Sequence, residues 1–218
     1  MTTPNFTFLD KLLCIGDNFL KTNFGGIKGS GRKVFSEQDN FKVLETLNIS
    51  DASKAGSLMR VNHSGEVAAQ ALYQGQMLVE TDREVNRYLL TAANEEADHL
   101  NWTSERLNSL NTKPSYLNPV WYSGALMLGL LARLIGKTTS IGFLAETERQ
   151  VETHLRKHLE IFPKTDKLSL AVLETMLADE TKHAEWAEGS SHHENLPIFM
   201  KKSMALGSKI MIKVAEKL

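Results

Sequence analysis

The 218 residues are 42% hydrophobic with only five prolines, enough apolar chain to bury a sizeable core in one domain. Lys and Arg number 25 against 26 Asp and Glu, and the net charge of -1 removes any global electrostatic reason to expect a nucleic-acid partner. The single cysteine, Cys14, excludes an internal disulfide and suits a reducing compartment.

Residues 1–35 mix apolar clusters with the stretch Gly25-Gly26-Ile27-Lys28-Gly29-Ser30-Gly31, too glycine-rich for a continuous helix, and read as a mobile arm or cover. The start of the chain has no basic n-region followed by an apolar core and a cleavage site. Asp10 and Asp17 also argue against an Arg-rich transit peptide, which places the chain on the cytoplasmic side. From Ser50-Asp51, read as the N-cap, a helix is expected to about Glu80, with Met59, Ala69, Tyr73 and Met77 near one face. A second is expected over 82–108, where Leu89, Ala92, Ala93, Leu100 and Leu107 recur at helical spacing, and 111–119 breaks the pattern.

Segment 120–135 is apolar almost all round, but the uncharged run that contains it includes prolines, Asn118, serines and glycines, so a transmembrane helix is not expected. The next helix, 138–162, carries a stripe of Ile141, Leu144, Val151, Leu155 and Leu159 and stops at Pro163. A fifth, 166–188, groups Leu173, Met176, Leu177, Ala184 and Ala187 before Gly189. The last, 197–218, sets lysines 201, 202, 209, 213 and 217 beside an apolar face, a basic amphipathic pattern. No strand alternation competes, so the chain is expected to be all-α, with a long connection between two helix pairs.

Two tetrapeptides carry the chemistry. Glu96-Ala97-Asp98-His99 and Glu180-Thr181-Lys182-His183 are both Glu-x-x-His, and the i, i+3 spacing places carboxylate and imidazole on one helical face. Each follows another glutamate at similar distance: Glu66 stands 30 residues before Glu96, and Glu148 stands 32 before Glu180. Helical phase selects Glu148 over Glu146 and Glu152, because it lies within the apolar stripe. A carboxylate on such a stripe demands a partner.

Glutamate plus Glu-x-x-His, given twice, is the ligand set of ferritin-like di-iron carboxylate bundles. The expectation is a four-helix bundle of that type, residues 51–189, with an extra apolar crossover helix. An N-terminal arm, 1–50, and a C-terminal amphipathic helix, 190–218, complete it. Glu66, Glu96, His99, Glu148, Glu180 and His183 are the expected metal ligands, with Glu96 and Glu180 bridging two iron ions. Four carboxylates balance two Fe(II) ions, which a low-dielectric core tolerates. His154, six residues beyond Glu148, is a candidate to position a carboxylate or a substrate oxygen. Asp98 and Asp179 are candidates to accept the imidazole N–H of a metal-bound histidine. His192 and His193, in a loop after Gly189, read as non-ligands.

At these residues the sequence resembles the demethoxyubiquinone hydroxylase family, the di-iron monooxygenases of ubiquinone biosynthesis. The similarity rests on Arg60-Val61-Asn62-His63-Ser64-Gly65-Glu66, Glu95-Glu96-Ala97-Asp98-His99-Leu100 and Asp179-Glu180-Thr181-Lys182-His183, and covers roughly 51–189. It implies that two irons activate O2 and insert one oxygen atom into the benzoquinone ring of a polyprenylated, methoxylated intermediate. Electrons are then expected from an external donor, a reduced nicotinamide (NADH) or the quinol form of the substrate, since no glycine-rich dinucleotide fingerprint follows a strand. A polyprenyl tail lives in a bilayer, so peripheral attachment to the cytoplasmic face of a membrane is expected through 120–136 and the basic tail, with a homo-oligomer or a biosynthetic partner possible in addition. The competing readings are a ferritin-like iron-handling or peroxide-scavenging protein and a lipid carrier without redox chemistry.

Overall fold

A computed structural model describes residues 7–35 and 47–218; the remainder of the expected 1–50 arm lies outside the described residues. Among the described residues all regular structure is helical: α1 (Phe8–Phe24), α2 (Ile49–Met77), α3 (Arg83–Ser109), α4 (Asn118–Ile135), α5 (Lys137–Ile161), α6 (Lys167–Gly189) and α7 (Ile198–Ala215). The all-α expectation holds, and the helix ends follow local chemistry. Asn48, rather than Ser50 or Asp51, caps α2, its Oδ1 accepting from the Asp51 backbone N–H at 2.8 Å. Asp82 caps α3 by accepting from the Glu84 and Val85 N–H groups. Pro119 sits in the first turn of α4, where its missing N–H costs nothing.

The first segment is more ordered than a mobile arm. Thr7 and Asp10 form a capping box, Thr7 Oγ1 accepting from Asp10 N at 3.2 Å while Thr7 N donates to Asp10 Oδ2 at 2.8 Å, so α1 is a capped helix. Gly25 and Gly26 then end it at φ of 95° and 98°, a left-handed excursion open to residues without a Cβ. Phe19 of α1 packs edge-on against Tyr122 of α4 at 5.2 Å.

α2 lies at the centre and is buried on most of its circumference, which is why the single face expected for it is not what the structure shows. α3 and α5 run antiparallel to it, and α4 runs parallel on its outer side, tied at one end by Ser64 Oγ to Asn118 Oδ1 at 2.8 Å and at the other by Arg133 to Glu80. The approach of α2 and α4 depends on glycine: a Cβ on Gly75 would stand 2.2 Å from the Leu126 carbonyl oxygen, and one on Gly129 would stand 2.3 Å from that of Leu72. α4 thereby buries Asn118, Tyr122, Gly129 and Ala132, and leaves Met127, Leu128, Leu131, Leu134 and Ile135 exposed.

The apolar core of the α2, α3, α5 and α6 bundle is split in two. One half gathers Met59, Trp102, Leu107, Leu155, Phe162, Leu173 and Met176. The other gathers Tyr73, Leu89, Ala92, Ile141, Leu144 and Ala187. Between them lies a layer of buried polar side chains.

Candidate metal centre

The polar layer consists of the six residues singled out by spacing, one or two from each bundle helix: Glu66 on α2, Glu96 and His99 on α3, Glu148 on α5, Glu180 and His183 on α6. All are buried, none more than 4% exposed. They converge as two overlapping groups, Glu66, Glu96, His99 and Glu180, and Glu96, Glu148, Glu180 and His183, the candidate ligand atoms within each lying within 4.8 Å of one another. Glu96 and Glu180 belong to both, the placement expected of shared carboxylates.

Each imidazole turns Nδ1 toward the carboxylates. His99 Nδ1 faces inward, 3.4 Å from Glu66 Oε2, 3.6 Å from Glu96 Oε2 and 3.1 Å from Glu180 Oε1. His183 Nδ1 stands 3.3 Å from Glu96 Oε1 and 3.5 Å from Glu180 Oε2. These separations resemble the edges of a coordination shell, since two ligands each ~2.1 Å from one ion stand roughly 3 to 3.5 Å apart. Glu66 Oε2, both Glu96 oxygens, His99 Nδ1, Glu148 Oε2, both Glu180 oxygens and His183 Nδ1 are buried with no hydrogen-bond partner among the described residues. Each such group left unpaired costs roughly 1 to 3 kcal/mol, so the cluster calls for a bound cation. A site of four carboxylates and two imidazoles suits iron or manganese better than thiolate-seeking metals.

The Nε2 side of each ring is held crosswise. His99 on α3 meets Asp179 Oδ2 of α6 at 3.2 Å, and His183 on α6 meets Glu95 Oε2 of α3 at 2.7 Å. The acid immediately before each ligand glutamate thus orients the histidine of the opposite repeat. Sequence reasoning found Asp179 and missed Glu95, although an acid before each Glu-x-x-His was a readable signal. It misplaced Asp98: two residues past Glu96 is about 200° around an α-helix, and its carboxylate accepts instead from Gly31 N at 3.0 Å, Arg32 Nε at 3.2 Å and Ser30 Oγ. Sequence reasoning also missed Tyr73, whose hydroxyl donates to Glu148 Oε1 at 2.8 Å.

Electrostatics follow from burial and these contacts. Desolvation pushes the Glu66 carboxyl up to about 8, and desolvation with the neighbouring Glu180 and Glu96 charges drives Glu148 well above its ordinary range. Burial alone would lower His99, but its contact with Asp179 and the close Glu180, Glu66 and Glu96 carboxylates outweigh it and hold the imidazole well above its ordinary value. Likewise burial would raise Glu180, and His183 and His99 hold it down instead.

His154 hydrogen-bonds to none of the six; it packs against His158 with ring centroids 3.9 Å apart, and burial lowers it to about 4, so it is neutral. His192 and His193 lie in the turn after α6, outside both ligand groups. The segment 60–66 divides its work. Arg60 donates to the Lys113 and Glu216 carbonyl oxygens, while Ser64 and His63 meet Asn118. Glu66 enters the cluster, and the buried Asn62 amide has no protein partner.

The family model described as ubiquinone biosynthesis protein COQ7 matches residues 53–215, beyond α6 and through α7. The chain is 50% identical over 210 residues to a 3-demethoxyubiquinol 3-hydroxylase of Variovorax paradoxus (strain S110), covering 96% of this chain and 98% of the relative. It is 43% identical over 210 residues to one of Xanthomonas oryzae pv. oryzae (strain PXO99A), covering 96% and 94%. A third, of Legionella pneumophila (strain Paris), is 42% identical over 207 residues, covering 94% and 95%. Matched through its whole bundle, and aligned with these relatives nearly end to end, the chain belongs to the COQ7 family of ubiquinone biosynthesis proteins.

Proposed function

We propose that the protein is an O2-dependent di-iron monooxygenase that hydroxylates the ring of a demethoxyubiquinone-type substrate, the activity named for its relatives. The observation that carries this reading is the set of orphaned buried atoms on Glu66, Glu96, His99, Glu148, Glu180 and His183. These six would hold two iron ions, Glu66 and His99 on one side, Glu148 and His183 on the other, with Glu96 and Glu180 shared. When bound, the iron pair supplies the reductive activation of O2 that no amino-acid side chain can perform.

The chain's own residues do the rest. Asp179 and Glu95 fix the rotation and tautomer of the two histidines so that each presents Nδ1 inward. Tyr73 positions Glu148 through its hydroxyl. The two apolar half-cores above and below the polar layer exclude water from it. His154, neutral and free of the carboxylates, is proposed to position a substrate oxygen. Reducing equivalents are proposed to come from NADH or from the quinol form of the substrate.

A polyprenyl tail requires access from a bilayer. No helix among the described residues is long and apolar enough to cross a membrane. α4 nevertheless exposes an apolar flank, Met127, Leu128, Leu131 and Leu134, and exposed apolar side chains also lie on α1 (Leu13 and Phe24) and on α7 (Phe199 and Leu206). Lys202, Lys209, Lys213 and Lys217 are exposed on or just beyond α7, whereas Lys201 pairs with Glu146. This flank is proposed to rest on the cytoplasmic face of a membrane, apolar side chains in the headgroup region and lysines on anionic lipid. An iron-storage or peroxide-scavenging role is not favoured, because it would leave this apolar flank without a purpose.

The test is quinone profiling of a strain lacking the gene, complemented with wild type or with Glu180→Ala. Accumulation of a demethoxy precursor, cleared by wild type and not by the variant, is the expected result. Normal ubiquinone in the deleted strain would refute the proposal.

A further inference from the structure

Residues 25–35 have no regular secondary structure, yet they are pinned across α3 by a series of specific contacts. Asn101 Nδ2 donates to the Ile27 carbonyl oxygen at 3.4 Å, and Trp102 Nε1 donates to that of Arg32 at 2.9 Å. Ser30 Oγ, Gly31 N and Arg32 Nε all donate to the carboxylate of Asp98, which is 2% exposed. The strap lies so close that a Cβ on Gly29 would meet Asp98 Oδ1 at 2.2 Å. The Arg32 guanidinium stacks over the Trp102 ring, 5.2 Å from its centroid, and Nη1 reaches across to Asp179 Oδ2 on α6 at 2.8 Å.

That last oxygen is the one that faces His99 Nε2. An unbroken line of contacts therefore runs from the strap through Arg32 and Asp179 to His99. A planar guanidinium suits it, since two carboxylates on different helices are gripped by different nitrogens of one rigid fork. The other half of the pseudo-symmetric site has no such bonded clamp: Glu95, which holds His183, is a third exposed, feels the Arg32 charge only through space, and among the described residues forms no ion pair with Lys or Arg.

We propose that Arg32, carried to α3 and α6 by the 25–35 strap, is a positioning residue for one metal position only, the one bounded by Glu66 and His99. The proposal rests on the di-iron reading above. Loss of Arg32 leaves Asp179 held from its Oδ1 side alone, by Lys182 of the same helix; Oδ2 then loses the contact that fixes it against His99, and the imidazole is less firmly aimed. Outer contacts of this kind are worth about 10- to 100-fold in metal affinity.

The experiment is an anaerobic titration of the full chain with Co(II), read by calorimetry and by the Co(II) absorption bands, on wild type, Arg32→Ala, Arg32→Lys and Ser30→Ala. Wild type is expected to bind two ions per chain. Arg32→Ala is expected to keep one at wild-type affinity and to bind the second about 10- to 100-fold more weakly with altered bands. Arg32→Lys should recover part of that loss, and Ser30→Ala, which touches only Asp98, should match wild type. Two ions bound by Arg32→Ala with wild-type affinity and bands, or equal weakening at both positions, overturns the proposal. If Arg32→Ala does not fold, Arg32→Lys carries the test, and wild-type binding by it overturns the proposal. A wild type that fails to bind two ions would instead sink the di-iron reading itself.

Discussion

At the scale of single residues, the centre is a set of groups whose protonation is set by burial and by one another. Glu66 and Glu148 have folded pKa values above the unfolded 4.5, so without metal they retain protons that the unfolded chain gives up. Between pH 4.5 and about 8 these two carboxyls hold more protons in the native state, and their contribution to stability falls as pH rises. His99, held well above 6.5, acts in the same sense: its contribution is complete below that pH and is lost above it. Glu180, held low, contributes stability lost only on acidification below 4.5, outside this window. His63, His154 and His158, which burial lowers from 6.5, act in the opposite sense below about that pH, so the decline is expected above it: metal-free protein should show a Tm that falls from about pH 7 to about pH 8. Iron-loaded protein should decline less, because ligation requires the deprotonated carboxylates and releases their protons. A metal-free Tm that climbs over this interval contradicts the assignment. The six ligand candidates were legible because a helix turns i, i+3 spacing into a shared face. Glu95 was legible in principle, but its partner His183 is 88 residues away and only the fold reveals it.

At the scale of elements, two contacts decide how the helices sit. Arg106 of α3 is fully buried and donates to Ser169 Oγ at 3.0 Å and to Asp166 Oδ1, the cap of α6, at 2.9 Å. Arg106→Ala would strand the Asp166 charge in the interior, and we expect a loss of about 3 to 5 kcal/mol by urea unfolding; a loss under ~1 kcal/mol contradicts that role. Gly129→Val would drive side-chain carbon into the Leu72 carbonyl and push α4 off α2. Overpacking of this kind costs about 1 to 3 kcal/mol, and a variant as stable as wild type would show that the helices can separate freely. Five of the seven helices were readable from their apolar stripes or runs and their breakers, and α7 from its amphipathic lysine pattern; α1 was not assigned. Its Thr7 and Asp10 box was present in the sequence, but the glycines after it dominated the reading. The strap was invisible to local pattern because its partners, Asp98 and Asp179, lie 66 or more residues away.

At the scale of the whole molecule, the structure pairs a buried polar layer with an apolar flank on α4 and with exposed apolar side chains on α1 and α7. Replacing Leu128 and Leu131, both exposed, with Glu should weaken flotation with anionic vesicles at least tenfold while leaving far-UV helicity unchanged; undiminished flotation would mean that α4 does not face lipid. The central claim is the metal pair, and its most direct test is iron analysis with a Mössbauer spectrum of protein loaded anaerobically with Fe(II). Two iron ions per chain are expected as a coupled pair, with loss of that pair in both Glu96→Ala and Glu180→Ala, the two shared carboxylates. One uncoupled iron per chain, or a coupled pair that survives both substitutions, would contradict it.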